Sequence, residues 1–148
     1  MNILVTGATG FIGSRVVFQL AKRGLSIVAA DIDMGENKKK LEKKYIDFGF
    51  DKKLITFESL DITKHEEIEL LFKKYKFDSI INLAYGIGII CEENPLLASK
   101  INIVGTTSMF EMLVKYKVKR LVFASSETVY GTKQSIYGNR PVNENDYT

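Results

Sequence analysis

Three glycines spaced three apart, Gly7, Gly10 and Gly13, stand between a short apolar run, Ile3-Leu4-Val5, and a segment from Ser14 to Ala21 whose apolar positions recur at helical intervals. Strand, glycine turn and helix in that order can hold an anion. Gly7 can take the backbone angles of a tight turn, Gly10 lets the main chain approach a diphosphate, and Gly13 lets the helix lie close to the strand. The first amides of the helix lack partners within it and face the anion. A second apolar run, Ser26-Ile27-Val28-Ala29-Ala30, ends in Asp31, where a carboxylate can accept hydrogen bonds from both hydroxyls of an adenosine ribose. The spacing is Gly-x-x-Gly-x-x-Gly rather than the more usual Gly-x-Gly-x-x-Gly. Its weight therefore comes from context: strand, turn, helix, strand and acid in sequence predict a dinucleotide site.

The octet Thr6-Gly7-Ala8-Thr9-Gly10-Phe11-Ile12-Gly13 resembles the opening of the extended short-chain dehydrogenases/reductases, the family of NAD-dependent sugar-nucleotide epimerases and dehydratases. The resemblance runs over the whole chain. It implies an α/β Rossmann fold, a doubly wound parallel sheet with strand order 3-2-1-4-5. It also implies that Gly7, Thr9, Gly10, Phe11, Ile12, Gly13 and Asp31 bind the cofactor, with Asp61 and Ile62 at the adenine edge. Leu83 and Ala84 would make small or apolar contacts to the pyrophosphate and nicotinamide ribose. Asn102-Ile103-Val104-Gly105-Thr106 is similar to the family's Asn-x-x-Gly-Thr, which places Asn102 against a neighbouring loop or the cofactor. The plainer alternatives are that Asp61 only ends a strand and that Asn102 is an exposed asparagine. Asn82 stands where the family commonly carries a histidine.

In the resembling family a serine or threonine at the position of Ser126 hydrogen-bonds the hydroxyl to be oxidised, and the tyrosine of a Tyr-x-x-x-Lys helix takes its proton. A phenol with a pKa near ~10 needs adjacent positive charge to act as a base at neutral pH. The lysine and the oxidised nicotinamide supply that charge, and the nicotinamide accepts the hydride. This chain has no Tyr-x-x-x-Lys: Tyr130-Gly131 closes a Ser-x-x-x-Tyr-Gly loop that begins at Ser126, and Tyr137 is followed four residues on by Pro141. Residues 141–148 resemble the acidic loop that precedes the missing helix. The expectation is a truncated or naturally short enzyme, with 1–148 as its NAD-binding domain, the substrate domain absent and no activity alone. A nucleotide-sugar would be the substrate of the full-length enzyme. Glu127 matches the first of two acids that dehydratases place after the serine, but Thr128 stands at the second, which inclines the reading toward an epimerase or reductase. The alternative is a non-catalytic dinucleotide-binding or NAD-sensing module.

The elements that must position these residues alternate along the chain. Strands are expected at Leu54–Ser59, from Phe77 into Ala84, and at Val118–Ala124. Helices are expected from the lysine cluster to about Tyr45, over Lys64–Tyr75, and over Pro95–Tyr116. The last opens on Asn94-Pro95 and carries an apolar stripe of Leu97, Ile101, Val104, Met109, Met112 and Leu113. Asp47 to Asp51 reads as a connection, and Asp33 to Asn37 as a polar turn able to reach the ribose. Tyr85 to Ile90, glycine-rich yet apolar, is expected to border the cofactor or a partner.

Composition sets bounds on function. The 148 residues, 45% of them hydrophobic, suit one domain with a real core. A net charge of +3 is too small to imply nucleic acid, and no apolar run is long enough for a membrane. With no leader before the first strand, a cytoplasmic location is expected. Cys91 is the only cysteine and is expected to be a buried thiol, and His65 a solvated side chain. The lysines at 38–40 and 43–44 read as a solvated helix face. Asp31 would repel a 2′-phosphate and is followed by Ile32 rather than an arginine, so NAD is expected over NADP. Family members pair through the helix beginning at Asn94 and the Tyr-x-x-x-Lys helix. Without the second, uncovered apolar surface predicts altered self-association or low stability.

Overall fold

The apolar runs form five strands: β1 (Asn2–Thr6), β2 (Ser26–Asp31), β3 (Ile55–Ser59), β4 (Ser79–Asn82) and β5 (Arg120–Phe123). The computed structural model describes residues 1–32, 34–130 and 138–146, and the side chains of Lys52, Glu127 and Thr128 also lie outside the description. Outside it fall Asp33, Gly131, Tyr137 and the end of the acidic loop, Tyr147-Thr148. The strands make one sheet in the order β3-β2-β1-β4-β5, every neighbouring pair parallel. This is the expected doubly wound order. The chain runs outward from β1 to β3 and then returns to β4 on the other side of β1. At that reversal the carboxyl ends part and leave a crevice.

Alternation along each strand sends successive side chains to opposite faces, and both faces are covered, so the inner strands read as unbroken apolar runs. On one face Ile3, Val5, Ile27 and Ala29 meet Val17 and Ala21 of α1 (Phe11–Lys22) and Leu41 and Tyr45 of α2 (Glu36–Asp47). On the other, Leu4, Val28 and Ile80 meet Ile68, Leu71 and Phe72 of α3 (His65–Lys74). They also meet Met109 and Met112 of the helix Thr106–Lys115. The segment expected as a mere connection after α2 does more: Phe48 and Phe50 pack edge-on against Phe18, with ring centroids 4.9 and 5.1 Å apart. They anchor α2 to α1, helped by Tyr45, whose hydroxyl donates to the Ser14 carbonyl at 3.2 Å. Burial pushes that phenol up to about 12.

The long helix expected from Pro95 to Tyr116 is divided. A short helix α4 (Ile89–Glu93) precedes α5 (Pro95–Ser99), a π-helical stretch follows at Lys100–Gly105, and α6 (Thr106–Lys115) completes it. Asn94 caps α5 through its side chain, which accepts from the Leu97 amide at 3.0 Å. The wider π turn shifts the phase of the helical stripe. One 3.6-residue period therefore cannot run through it: Met109 and Met112 are buried as expected, but Leu97 and Val104 are 39% and 49% exposed. At the sheet edge Val122 and Phe123 of β5 are also exposed. No helix among the described residues is long and apolar enough to cross a membrane.

A Cβ at Gly13 would lie 2.0 Å from the Gly7 carbonyl oxygen, so α1 cannot hold its place if that position gains a side chain. Gly13→Ala is expected to cost about 3 kcal/mol or more of unfolding free energy in a urea titration. Gly24→Ala, in open space at φ +71°, should cost only the left-handed backbone strain of about 1–2 kcal/mol.

Candidate functional site

A cleft of about 310 Å³ opens between the carboxyl ends of β1, β2 and β4. Thr6, Gly7, Thr9 and Gly10 from the glycine turn line it. So do Asp31 at the end of β2, Asp61 and Ile62 after β3, and Leu83 and Ala84 after β4. Positions singled out in sequence on four separate segments thus meet around one space. Gly13 and Asn102 support it from behind. The side chains of Phe11 and Ile12 point to solvent, leaving their backbone amides as what they can offer. The Phe11 ring instead carries the Arg15 guanidinium, 3.9 Å from its centroid.

The glycine turn is packed backbone against backbone. Gly7 sits at φ +62°, and a Cβ there would come within 2.5 Å of the Leu83 carbonyl oxygen. The turn is therefore pressed between α1 on one side and the exit of β4 on the other. Gly10 caps α1 with no side-chain hydrogen bond, so the first turn of this 12-residue helix presents amides alone. That end carries the positive pole of the helix.

Thr6 bolts the turn to β4. Its buried hydroxyl donates to Asn82 Oδ1 and accepts from the amides of Leu83 and Ala84 at 3.2 and 3.3 Å. One donor and two acceptor directions are all in use, which fixes Leu83 and Ala84 over the cleft. This pair was not singled out as a joint from the sequence. The available signal was a threonine and an asparagine ending apolar strands at opposite register positions, Thr6 beside Asn82.

Two carboxylates flank the cleft. Asp31 Oδ2 accepts from the Thr9 amide at 2.9 Å and its hydroxyl at 2.8 Å, while Oδ1 accepts from the Ile32 amide at 2.8 Å. Asp61 Oδ1 accepts from the Thr63 amide at 3.0 Å and hydroxyl at 2.7 Å, and Lys64 Nζ lies 3.7 Å from Oδ2. Desolvation pushes the Asp61 carboxyl up, but the Thr63 hydrogen bonds and the Lys64 ammonium outweigh it and hold the group below its ordinary 3.8. Ile62, buried beside it, packs against Gly105, where a Cβ would fall 2.8 Å from Ile62 Cδ1.

The apolar loop after β4 borders the cleft through Tyr85, Gly86 and Ile90. Asn102, in the π-helical stretch, clamps it: Oδ1 accepts from the Gly86 amide at 2.8 Å and Nδ2 donates to the Gly86 carbonyl at 2.9 Å. Of the two positions foreseen for Asn102, the structure has it on the loop. The Cys91 thiol also donates to the Gly86 carbonyl, at 3.1 Å, and Cys91 is exposed rather than buried as expected. His65, half exposed, has Nδ1 3.4 Å from the Ser108 hydroxyl. Ser126 follows β5 at the same sheet edge, its carbonyl accepting from the Val129 amide at 3.3 Å, and is not among the residues lining the cleft. Leu60 and Ile101 line it and were not foreseen; nothing in their local sequence sets them apart from other core residues.

An open parallel sheet with a glycine-rich turn and an acid on the adjoining strand at its point of reversal is a Rossmann-type α/β domain. Residues 3–147 match the model of the NAD dependent epimerase/dehydratase family, and the chain belongs to that family. Among its relatives, UDP-glucose 4-epimerase 2 of Arabidopsis thaliana is 36% identical over 137 residues, covering 91% of this chain and 39% of the relative. UDP-glucose 4-epimerase of Caenorhabditis elegans is 34% identical over 158 residues, covering all of this chain and 43% of the relative. Among solved structures, the UDP-glucose-4-epimerase of Stenotrophomonas maltophila with bound NAD and formylated UDP-arabinopyranose superposes with a TM-score of 0.84 at 28% identity. That match covers 100% of this chain and 42% of the other. The Thermus thermophilus UDP-glucose 4-epimerase in complex with NAD gives 0.72 at 30% identity, over 97% and 42%. The chain thus spans about 40% of the length of the relatives it matches.

Thr6→Val should lower stability by about 2–3 kcal/mol, because it leaves the buried Asn82 oxygen without its donor; urea denaturation measures this. Asp61 stabilises the fold only while ionised, so its contribution is full above pH ~5 and is lost as pH falls through its lowered value. Between pH ~6 and pH ~3, Asp61→Asn is expected to lose less stability than the native chain in paired urea titrations.

Proposed function

We propose that this chain binds NAD in the cleft and forms the cofactor-binding part of an NAD-dependent sugar-nucleotide epimerase. The observation that carries the reading is the meeting of a turn with no side chain at Gly7 and Gly10, the amide end of α1 and the Asp31 carboxylate around one cleft. A dinucleotide fits that donor set: amides and a helix pole for the diphosphate, a carboxylate for the ribose diol. Gly7, Gly10 and Gly13 keep the approach open, with the amides of Phe11 and Ile12 on the diphosphate. Asp61 and Ile62 take the adenine edge, and Leu83 and Ala84 the nicotinamide side, held there by Thr6. Bound NAD would supply a hydride acceptor. Ser126, at the same sheet edge, would hydrogen-bond a substrate hydroxyl and orient it toward that acceptor. The relatives named UDP-glucose 4-epimerase support a UDP-sugar as substrate of the complete enzyme. The apolar residues exposed on α6 and β5, among them Phe110, Val114 and Val122, support self-association.

A second reading, a dinucleotide-binding or NAD-sensing module without catalysis, draws on the same cleft, whose lining holds a dinucleotide donor set without Ser126. Both readings require NAD in the cleft and differ in whether substrate is turned over.

Calorimetric titration with NAD and NADP tests the common premise. The native chain is expected to prefer NAD, and Asp31→Ala to lose about tenfold or more in NAD affinity, the worth of a hydrogen bond to a charged group. Equal native affinity for the two cofactors would remove the role assigned to Asp31.

A further inference from the structure

Resting on the NAD reading above, we propose that Thr9 is a positioning residue: it fixes the Asp31 carboxylate toward the ribose and thereby sets the discrimination between NAD and NADP.

An ionised carboxylate has two oxygens with about four acceptor directions between them. At Asp31, Thr9 takes two on Oδ2, one with its amide and one with its hydroxyl, and the Ile32 amide takes one on Oδ1. One oxygen is thus tied to the glycine turn and the other to the strand that bears it. The group cannot swing without breaking a hydrogen bond. Its remaining acceptor direction is on Oδ1. The three protein donors are not equivalent, because the two amides are aimed by the backbone whereas the Thr9 hydroxyl turns about a single bond. A ribose hydroxyl therefore meets Oδ1, while the Thr9 hydroxyl keeps its hold on Oδ2 and so aims the carboxylate at the sugar.

Selectivity follows from the same restraint. A 2′-phosphate is rejected when a fixed negative charge lies beside it, and accepted when that charge can turn away into water. Asp31 lies at the rim of the cleft, only partly buried, so a released carboxylate has water to turn into. The Thr9 hydroxyl opposes that escape. Removing it should weaken NAD binding and, in the same step, lessen the penalty against NADP.

The test is calorimetric titration of the 148-residue chain and its Thr9→Val and Thr9→Ser variants with NAD and NADP. Valine keeps the amide and the branched shape and removes only the hydroxyl. We expect Thr9→Val to lose about fivefold in NAD affinity and to narrow the NAD-over-NADP preference by about tenfold, and Thr9→Ser to restore the preference. A purely structural defect would weaken both cofactors by one factor and leave their ratio unmoved; that result overturns the proposal. In an Asp31→Ala background Thr9→Val should change nothing, since its effect passes through that carboxylate, and an undiminished effect there also overturns it. A native chain that binds neither dinucleotide, or both alike, defeats the underlying NAD reading instead, and is told apart because it needs no Thr9 variant.

Discussion

The constraint on which the structure depends is the absence of a side chain at Gly7 and Gly13, where β1 turns into α1. Two backbone approaches meet there: α1 against the turn at Gly13, and the turn against the exit of β4 at Gly7. Neither leaves room for a Cβ. Because β1 is central, with β2 and β4 on either side, that contact sets the spacing of the cleft as well as the seat of the first helix. The Thr6 hydroxyl adds a polar joint to the steric one, and a buried hydroxyl with every hydrogen-bonding direction used has a single low-energy orientation. The turn is therefore rigid for reasons of contact, before any ligand is present.

Around this rigid turn, charge is distributed with one sign on each side. The start of α1 offers amides and a positive pole, while Asp31 and Asp61 place carboxylates across the cleft. Each carboxylate is held by the amide and hydroxyl of a nearby threonine, Thr9 for Asp31 and Thr63 for Asp61. That repeated arrangement keeps two negative groups oriented at a partly buried rim, where an unrestrained acid would turn toward water. The chemistry offered is backbone hydrogen-bond donors in the middle and carboxylate acceptors at the flanks.

The fourth wall of the cleft is made by a loop that has little to hold it by its own packing. Tyr85, Ile87 and Ile89 are exposed, so within this loop burial holds only Gly86. Two hydrogen bonds between Asn102 and Gly86, one donated by each, hold the loop instead, with the Cys91 thiol on the same Gly86 carbonyl. Asn102 faces that loop from within the π-helical stretch, and the same stretch brings Gly105 against Ile62. A helix irregularity, costly in a free helix, is tied here to both the loop and the Ile62 side of the cleft.

Much of this was legible in the residue order. Apolar runs, the glycine spacing and the acid after the second run pointed to the unit of strand, turn, helix and strand with Asp31 at its end, while the strand order and the positions Asp61, Ile62, Leu83 and Ala84 around the cleft came through family resemblance. The division of the helix after Pro95 was not legible: a π turn changes the phase of the apolar stripe, and no residue type marks it. Phe48 and Phe50 looked like loop residues until Phe18 was beside them, and Cys91 looked like a core thiol until its helix proved to lie at the surface. The sequence by itself determined which backbone positions must lack a side chain and which strand must end in an acid, since these are properties of single residues. Only the tertiary structure decided what those groups touch: Thr6 with Asn82, Thr9 with Asp31 and Asn102 with Gly86. Each pair is distant along the chain, and hydrogen bonds between distant partners are set by how the sheet and helices bring them together.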